Sequence, residues 1–226
     1  MVTLPAPPGR PAELGLPCEL TLPPDLWEAL RFTPEQFEQL CEANPEAVLE
    51  LTAEGHLIAI TPTGGDTGRR NTRLLTRLQT WADRQEGWEV FDSSSGFHLP
   101  DGSVLSPDAS VVQLARWQAL APEQRRSFPP LCPDLVVELA SPSDEGPRGL
   151  AALRRKMAAY MANGARLGWL PIPQQRAAEI WQAGAEGEPA EHGEPLQPQR
   201  LEQATRLEGG ELLPGLVLEL QEIWEA

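Results

Sequence analysis

Lysine is almost absent from this 226-residue chain: Lys156 stands alone among seventeen arginines. A bias toward arginine could leave one lysine by accident. The alternative is that position 156 needs a compact ammonium, which meets a water or a phosphate oxygen as a point charge where the planar guanidinium prefers bidentate pairing. Cysteine is scarce as well. Cys18, Cys41 and Cys132 are odd in number, far apart and without histidines at zinc-ligand spacing, so they read as buried or incidental thiols. No run of about 18 apolar residues is present to span a bilayer, and prolines interrupt Met1 to Pro24 where a signal peptide needs an unbroken apolar segment. The expectation is a cytosolic protein without a membrane partner. Positive charge is in deficit. A formal net charge of −15 argues against general affinity for nucleic acid, because phosphate neutralisation by Lys and Arg supplies most non-specific binding.

What is present organises into a proline-rich N-terminal extension over residues 1–32 and one domain over 33–226. Thr33-Pro34-Glu35-Gln36 supplies a capping threonine, a proline for the first helical position and a glutamine to close the box, which predicts a helix to about Glu42. Strands are expected over Ala47–Leu51 and His56–Thr61, turning at Glu54-Gly55. Leu74, Leu75, Leu78 and Trp81 recur at helical spacing within Thr67–Gln85, and Arg69, Arg70, Arg73, Arg77 and Arg84 fill other positions. That helix has a basic side, readable as a solvated face or as a backbone-binding patch. Its start, capped by Asp66 or Thr67, follows a Gly64-Gly65 segment that matches no phosphate-loop signature. Further strands are expected over Trp88–Phe91, Val104–Val112, Leu135–Ala140, Leu167–Leu170, Ala177–Trp181 and Leu216–Leu220, with a second long helix over Gly149–Ala162. Residues 183–199 read as an exposed loop. Strands before, between and after two long helices indicate an α/β or α+β fold whose mixed central sheet is flanked by helices.

Chemistry concentrates in three places. Asp108 sits in Ser106-Pro107-Asp108 at a strand start or bend, and Glu138 interrupts the apolar strand Leu135–Leu139. A buried carboxylate costs several kcal/mol unless a cation, a donor or a metal answers it. Two such oxygens with a carbonyl and waters suit magnesium, which can activate water and neutralise charge at a phosphate under in-line attack. Asp134, in Pro133-Asp134, competes for the first-acid role but lies four strand residues from Glu138, about 13 Å, too far to share an ion. Lys156 falls at the edge of the apolar stripe Leu150, Leu153, Met157, Tyr160 and Met161, from which its head either turns toward the acids or snorkels to water. Bland readings remain open beside these: a turn-capping Asp108, a Glu138 paired with arginine, and a Tyr160 that packs or orients the lysine.

The ordered set Thr33-Pro34-Glu35-Gln36-Phe37, Glu50-Leu51 to Gly55, Thr61-Pro62-Thr63-Gly64-Gly65, Ser106-Pro107-Asp108, Val137-Glu138-Leu139 to Ser141-Pro142-Ser143-Asp144, Lys156-Met157 to Tyr160, Asn163-Gly164 and Leu213-Pro214-Gly215 resembles the Uma-type putative restriction endonuclease family of the PD-(D/E)XK nuclease-like superfamily, over about residues 33–226. The resemblance implies a restriction-endonuclease-like fold with Asp108 and Glu138 as Mg2+ ligands, which Mn2+ could replace, and the Leu139 carbonyl as a third. It also implies a lysine that positions the attacking water, and Glu50 as an acid joining the site. The implied activity is hydrolysis of DNA phosphodiester bonds by a homodimer, with Arg69, Arg70, Arg73 and Arg77 as candidate backbone contacts.

This chain departs from the pattern. Ala140 occupies the superfamily lysine position two after the glutamate, so Lys156 has to substitute from the helix. The link from Asp144 to Lys156 is longer than in many relatives, Leu170-Pro171 lacks the usual acid before its proline, and no histidine lies near Arg70 or Asn71. These departures keep a second hypothesis open, a catalytically degenerate nuclease-fold module that binds a protein or regulatory partner. A third, a metal enzyme acting on small phosphorylated molecules, fits the acidic balance without a phosphate-loop signature.

Overall fold

Thr33 closes its capping box: its hydroxyl accepts from the Gln36 N–H and the Gln36 side chain accepts from the Thr33 N–H. The helix α1 (Pro34–Ala43) that follows lays Phe37 against a hairpin of β1 (Leu49–Leu51) and β2 (Leu57–Ala59). Gly55 makes that hairpin possible, with φ at 82° and a position for Cβ only 2.8 Å from the Phe32 carbonyl. The structure, a computed structural model, describes residues 29–144, 146–182 and 197–225. Residues 1–28 of the expected extension and 183–196 of the expected loop lie outside them.

The arginine-bearing helix α2 (Gly65–Ala82) starts on Gly64, not on a side-chain cap from Asp66 or Thr67. After it come β3 (Trp88–Asp92), β4 (Phe97–His98), β5 (Val104–Leu105) and β6 (Ala109–Gln113), then two short helices, α3 (Leu114–Gln118) and α4 (Pro122–Arg126). β7 (Leu135–Val137) leads through a 3-10 turn at Pro142–Asp144 into α5 (Pro147–Ala162), and α5 into β8 (Leu167–Ile172). β9 (Ala177–Gln182), β10 (Gln199–Glu202), β11 (Arg206–Glu208), β12 (Val217–Glu219) and α6 (Gln221–Trp224) complete the described chain.

These strands form a mixed six-stranded sheet in the order β10-β9-β8-β7-β6-β3, in which only β7 and β8 run parallel. Alternation along β7 divides two cores. Leu135, Val137 and Leu139 face α2 and the C-terminal segments, whereas Val136 and Ala140 face Met157 and Tyr160 of α5. The fold is therefore the helix-flanked mixed α/β architecture expected. The strands are more numerous than the sequence pattern suggested, because β4, β10 and β11 are too short to carry a period of their own. A four-stranded sheet, β2-β1-β5-β4, and a two-stranded sheet, β11-β12, accompany the central one. Among the described residues no helix is long and apolar enough to cross a membrane.

Candidate active site

Pro107 has no N–H for a ladder, and the continuous strand expected over Val104–Val112 breaks beside it. β5 on one side of Ser106-Pro107-Asp108 belongs to the four-stranded sheet, and β6 on the other side to the six-stranded sheet. The acids gather at this seam. Ala109 pairs with Val137, so the Leu139 N–H, two residues past β7, falls opposite Pro107, where β6 has already ended. The Asp108 carboxylate accepts this N–H through Oδ2 at 2.7 Å, and the Asn71 amide of α2 reaches its Oδ1 at 3.2 Å.

Glu138 falls between Val136 and Ala140 in the alternation and so enters the core beneath α5, where it is 3 % exposed. The helix lies close to the sheet there because β8 carries Gly168, at which a Cβ would run into the Met157 methyl group. One residue before Met157, Lys156 reaches into the seam. Its Nζ lies 2.8 Å from Glu138 Oε1 and 2.7 Å from Glu50 Oε1, and donates to the Ser106 carbonyl at 2.9 Å. Three acceptors thus answer the three donors of the ammonium. Ser106 closes the arrangement, since its N–H donates to Glu50 Oε1 at 2.8 Å. The Tyr160 hydroxyl donates to Glu138 Oε1 at 3.2 Å, so the tyrosine orients the glutamate as well as packing.

Burial dominates the electrostatics. It pushes the Glu138 carboxyl up to about 8; Lys156 opposes the shift, and the like charges of Asp108 and Glu50 add to it. Asp108 is also raised by burial, against the Leu139 N–H. For Lys156, burial pulls the ammonium down, but Glu138 and Glu50 outweigh it and hold the group above its ordinary value. The lysine therefore stays charged at neutral pH and is a donor there, not a base. Glu138 is poised between forms near neutrality.

Asp108, Glu138, Lys156 and Glu50 are brought to one seam. Asp134 is elsewhere, with Arg116 Nη1 at 2.8 Å and the Gln113 N–H at 2.8 Å on its carboxylate. The arginines of α2 turn mostly away from the acids. Arg70 and Arg73 donate to the Ile223 and Glu222 carbonyls at the end of α6, Arg77 pairs with the Glu222 carboxylate, and Arg69 is exposed. Sequence reasoning missed two contributors, the Ser106 backbone and Asn71. Only the proline beside Ser106 offered a signal, as a strand breaker, and nothing local marks Asn71.

A divalent ion fits the chemistry of these groups, since three carboxylates present hard oxygen donors and the buried Asn71 Oδ1 has no partner. Among the described residues no three acidic, histidine or cysteine side chains stand drawn together for a metal. An ammonium bridges Glu50 and Glu138 instead.

The family profile described as Uma2, "putative restriction endonuclease", matches residues 34–221. Among solved structures, the chain is similar to a crystal structure described as a putative nuclease belonging to DUF820 from Anabaena variabilis ATCC 29413. The TM-score is 0.66 at 16% identity, over 86% of this chain and 98% of the other. At that identity the likeness speaks for the fold. No curated protein matches.

Proposed function

This chain belongs to the family described as Uma2, "putative restriction endonuclease", and on that footing we propose that it is a divalent-metal-dependent nuclease that hydrolyses phosphodiester bonds in DNA. The observation that carries this reading is the Lys156 Nζ held 2.7 Å from Glu50 and 2.8 Å from Glu138 where the two sheets part. Asp108 and Glu138 would hold the ion, magnesium in the first instance and manganese in its place, with the Leu139 carbonyl as a further oxygen. When bound, such an ion supplies Lewis acidity and neutralises charge at the phosphate.

The chain's own residues do the rest. Lys156 substitutes from α5 for the lysine missing at Ala140. With Glu138 given over to the ion, the donor released from it would let the ammonium orient the attacking water or a non-bridging phosphate oxygen, as the one compact cation at the seam. Leu139 N–H and Asn71 fix the Asp108 carboxylate in direction. The Ser106 backbone holds Glu50 and Lys156 together, so that Glu50 balances the ammonium while Glu138 serves as a ligand. Because Glu138 binds an ion only after losing its proton, affinity for the ion rises with pH through about 8. A two-fold homodimer would set two such sites on opposite strands.

A second reading has its own observation. Ala140 and a lysine that already neutralises the acids are also what a degenerate module, kept for binding a protein partner, would contain. Calorimetry decides between them with Mg2+ or Mn2+ added to the wild type and to Asp108→Ala/Glu138→Ala. Binding heat in the wild type that vanishes in the double variant, together with divalent-dependent nicking of plasmid DNA, is the expected result. Equal affinities in the two proteins remove the metal site and leave the module.

A further inference from the structure

Helix α2 buries Thr67, Leu74, Leu78, Trp81 and Ala82 along one side. Asn71 stands four residues after Thr67 and three before Leu74, so it falls on the same stripe, where helical periodicity calls for an apolar side chain. Its amide has a fixed sense. The ionised carboxylate of Asp108 only accepts, so the amide nitrogen faces its Oδ1, donating at 3.2 Å, and the amide oxygen is turned away from it. There Asn71 Oδ1 is buried without a partner. Four buried side-chain polar atoms lack one among the described residues: Asn71 Oδ1, Ser110 Oγ, Trp169 Nε1 and Trp181 Nε1. Indoles only donate and a serine can do either, so the amide oxygen is the one atom of the four that needs a donor or a cation.

The same end of the seam lacks a cation. Lys156 answers Glu50 and Glu138, whereas Asp108 receives only two neutral donors, the Leu139 N–H and the Asn71 amide, and among the described residues no lysine or arginine pairs with it. Oxygen and nitrogen of one amide share a carbon, so Asn71 Oδ1 lies no farther from this unpaired carboxylate than one hydrogen bond and the width of an amide. A carboxylate oxygen and a neutral carbonyl oxygen side by side are donors that Mg2+ and Mn2+ take. A buried acceptor left unanswered costs free energy that an apolar residue in the stripe would not. An ion held at Asp108 meets the orphaned oxygen and the unpaired charge together.

We propose that Asn71 is a ligand of the divalent ion through Oδ1, at the Asp108 end of the seam. This rests on the metal-dependent reading above and adds to it a neutral ligand from α2. The two ends of the amide then have separate tasks, the nitrogen steering Asp108 and the oxygen holding the ion.

The chain has three asparagines, Asn44, Asn71 and Asn163, and Asn44 and Asn163 cap the ends of α1 and α5, so isotopic labelling of asparagine reports on the seam through Asn71. The full wild-type chain, carrying 13C at the asparagine side-chain carbonyl, is loaded with Mn2+ and measured by electron–nuclear double resonance. A directly ligated amide should give a strongly coupled 13C signal, and Asn71→Leu should abolish it. By calorimetry the same variant should bind Mn2+ and Mg2+ about tenfold or more weakly, while its melting temperature in chelator does not fall, because leucine suits the stripe. Mn2+ binding heat in the wild type without a strongly coupled 13C overturns the assignment, leaves Asn71 as a residue that only steers Asp108, and keeps the metal-dependent reading. Undiminished affinity in the folded variant overturns it in the same way. No divalent binding by the wild type takes down both readings. Should Asn71→Leu fail to fold, the wild-type signal decides alone.

Discussion

Helix α5 sends two cations, Arg154 and Lys156, into two buried glutamates, and the two pairings are built differently. On β9, Glu179 receives the fork of Arg154 on both carboxylate oxygens and a further contact from Arg200 at 3.3 Å. At the seam, Glu138 takes one donor of Lys156 and the Tyr160 hydroxyl, both on Oε1, while the lysine divides itself among Glu138, Glu50 and the Ser106 carbonyl. A guanidinium fork satisfies a carboxylate geometrically and fixes it in place. A lysine shared among three oxygens leaves its carboxylates open to another cation. In the second arrangement burial pushes the Glu138 carboxyl up to about 8. The first is the structural buried ion pair that a glutamate in an apolar strand could have been, and the second is where chemistry is proposed.

The largest break in this contrast comes from truncating each cation. Lys156→Ala leaves the buried Glu50 without its counter-charge and Glu138 without a donor, and removing one partner of a buried pair costs about 3–5 kcal/mol. Arg154→Ala should cost clearly less, because Arg200 remains on Glu179 and the Arg154 side chain is 42% exposed. Urea unfolding of both variants in chelator measures this. Equal losses would mean that the two clusters are the same kind of structural pair.

Next in size is a pH dependence specific to the seam. With the folded carboxyl of Glu138 raised to about 8 from an ordinary 4.5, both folded and unfolded forms carry the proton below 4.5 and the residue costs nothing there. Between those values the unfolded chain is ionised while the folded one keeps its proton, so stability falls as pH rises, and the full cost is reached above about 8. Lys156 does not offset this fall, since its held-up ammonium stays charged throughout that range. In chelator, the melting temperature of the wild type should drop relative to Glu138→Gln between pH 4.5 and 8. Parallel curves would show that Glu138 is ionised and fully compensated in the folded protein, as a structural pair would be.

The contrast between the clusters was half legible before any coordinates. A glutamate inside Leu135–Leu139 demands compensation on burial grounds alone, and a lone lysine at the edge of an apolar helix stripe is a local pattern. Strand rise removed Asp134 from contention, and the structure gives it to Arg116 and the Gln113 N–H. Long-range docking was not legible. Nothing in the spacing of α2 reveals that its arginines meet carbonyls about 150 residues away, so a basic face looked available for DNA when most of it is occupied. The break at Pro107 was available as a rule about proline in strands, yet the apolar run on both sides concealed it. Glu50 entered only through the family resemblance, because a glutamate in a short hairpin carries no mark of which way it faces.

The smallest expected effect tests that occupied face. Arg77 pairs with Glu222 at the surface, with side-chain exposures of 48% and 40%, so Arg77→Ala should cost only about 0–1 kcal/mol of stability. Its effect on DNA affinity discriminates more sharply than its effect on folding. A true phosphate contact, once removed, lowers the magnitude of the log–log salt slope by about one. A side chain committed to α6 leaves that slope where it was. An unchanged slope for Arg77→Ala would show that Arg77 stays on Glu222 when DNA binds. A reduced slope would mean that Arg77 exchanges Glu222 for phosphate when DNA arrives, and the basic side of α2 would then be the binding surface.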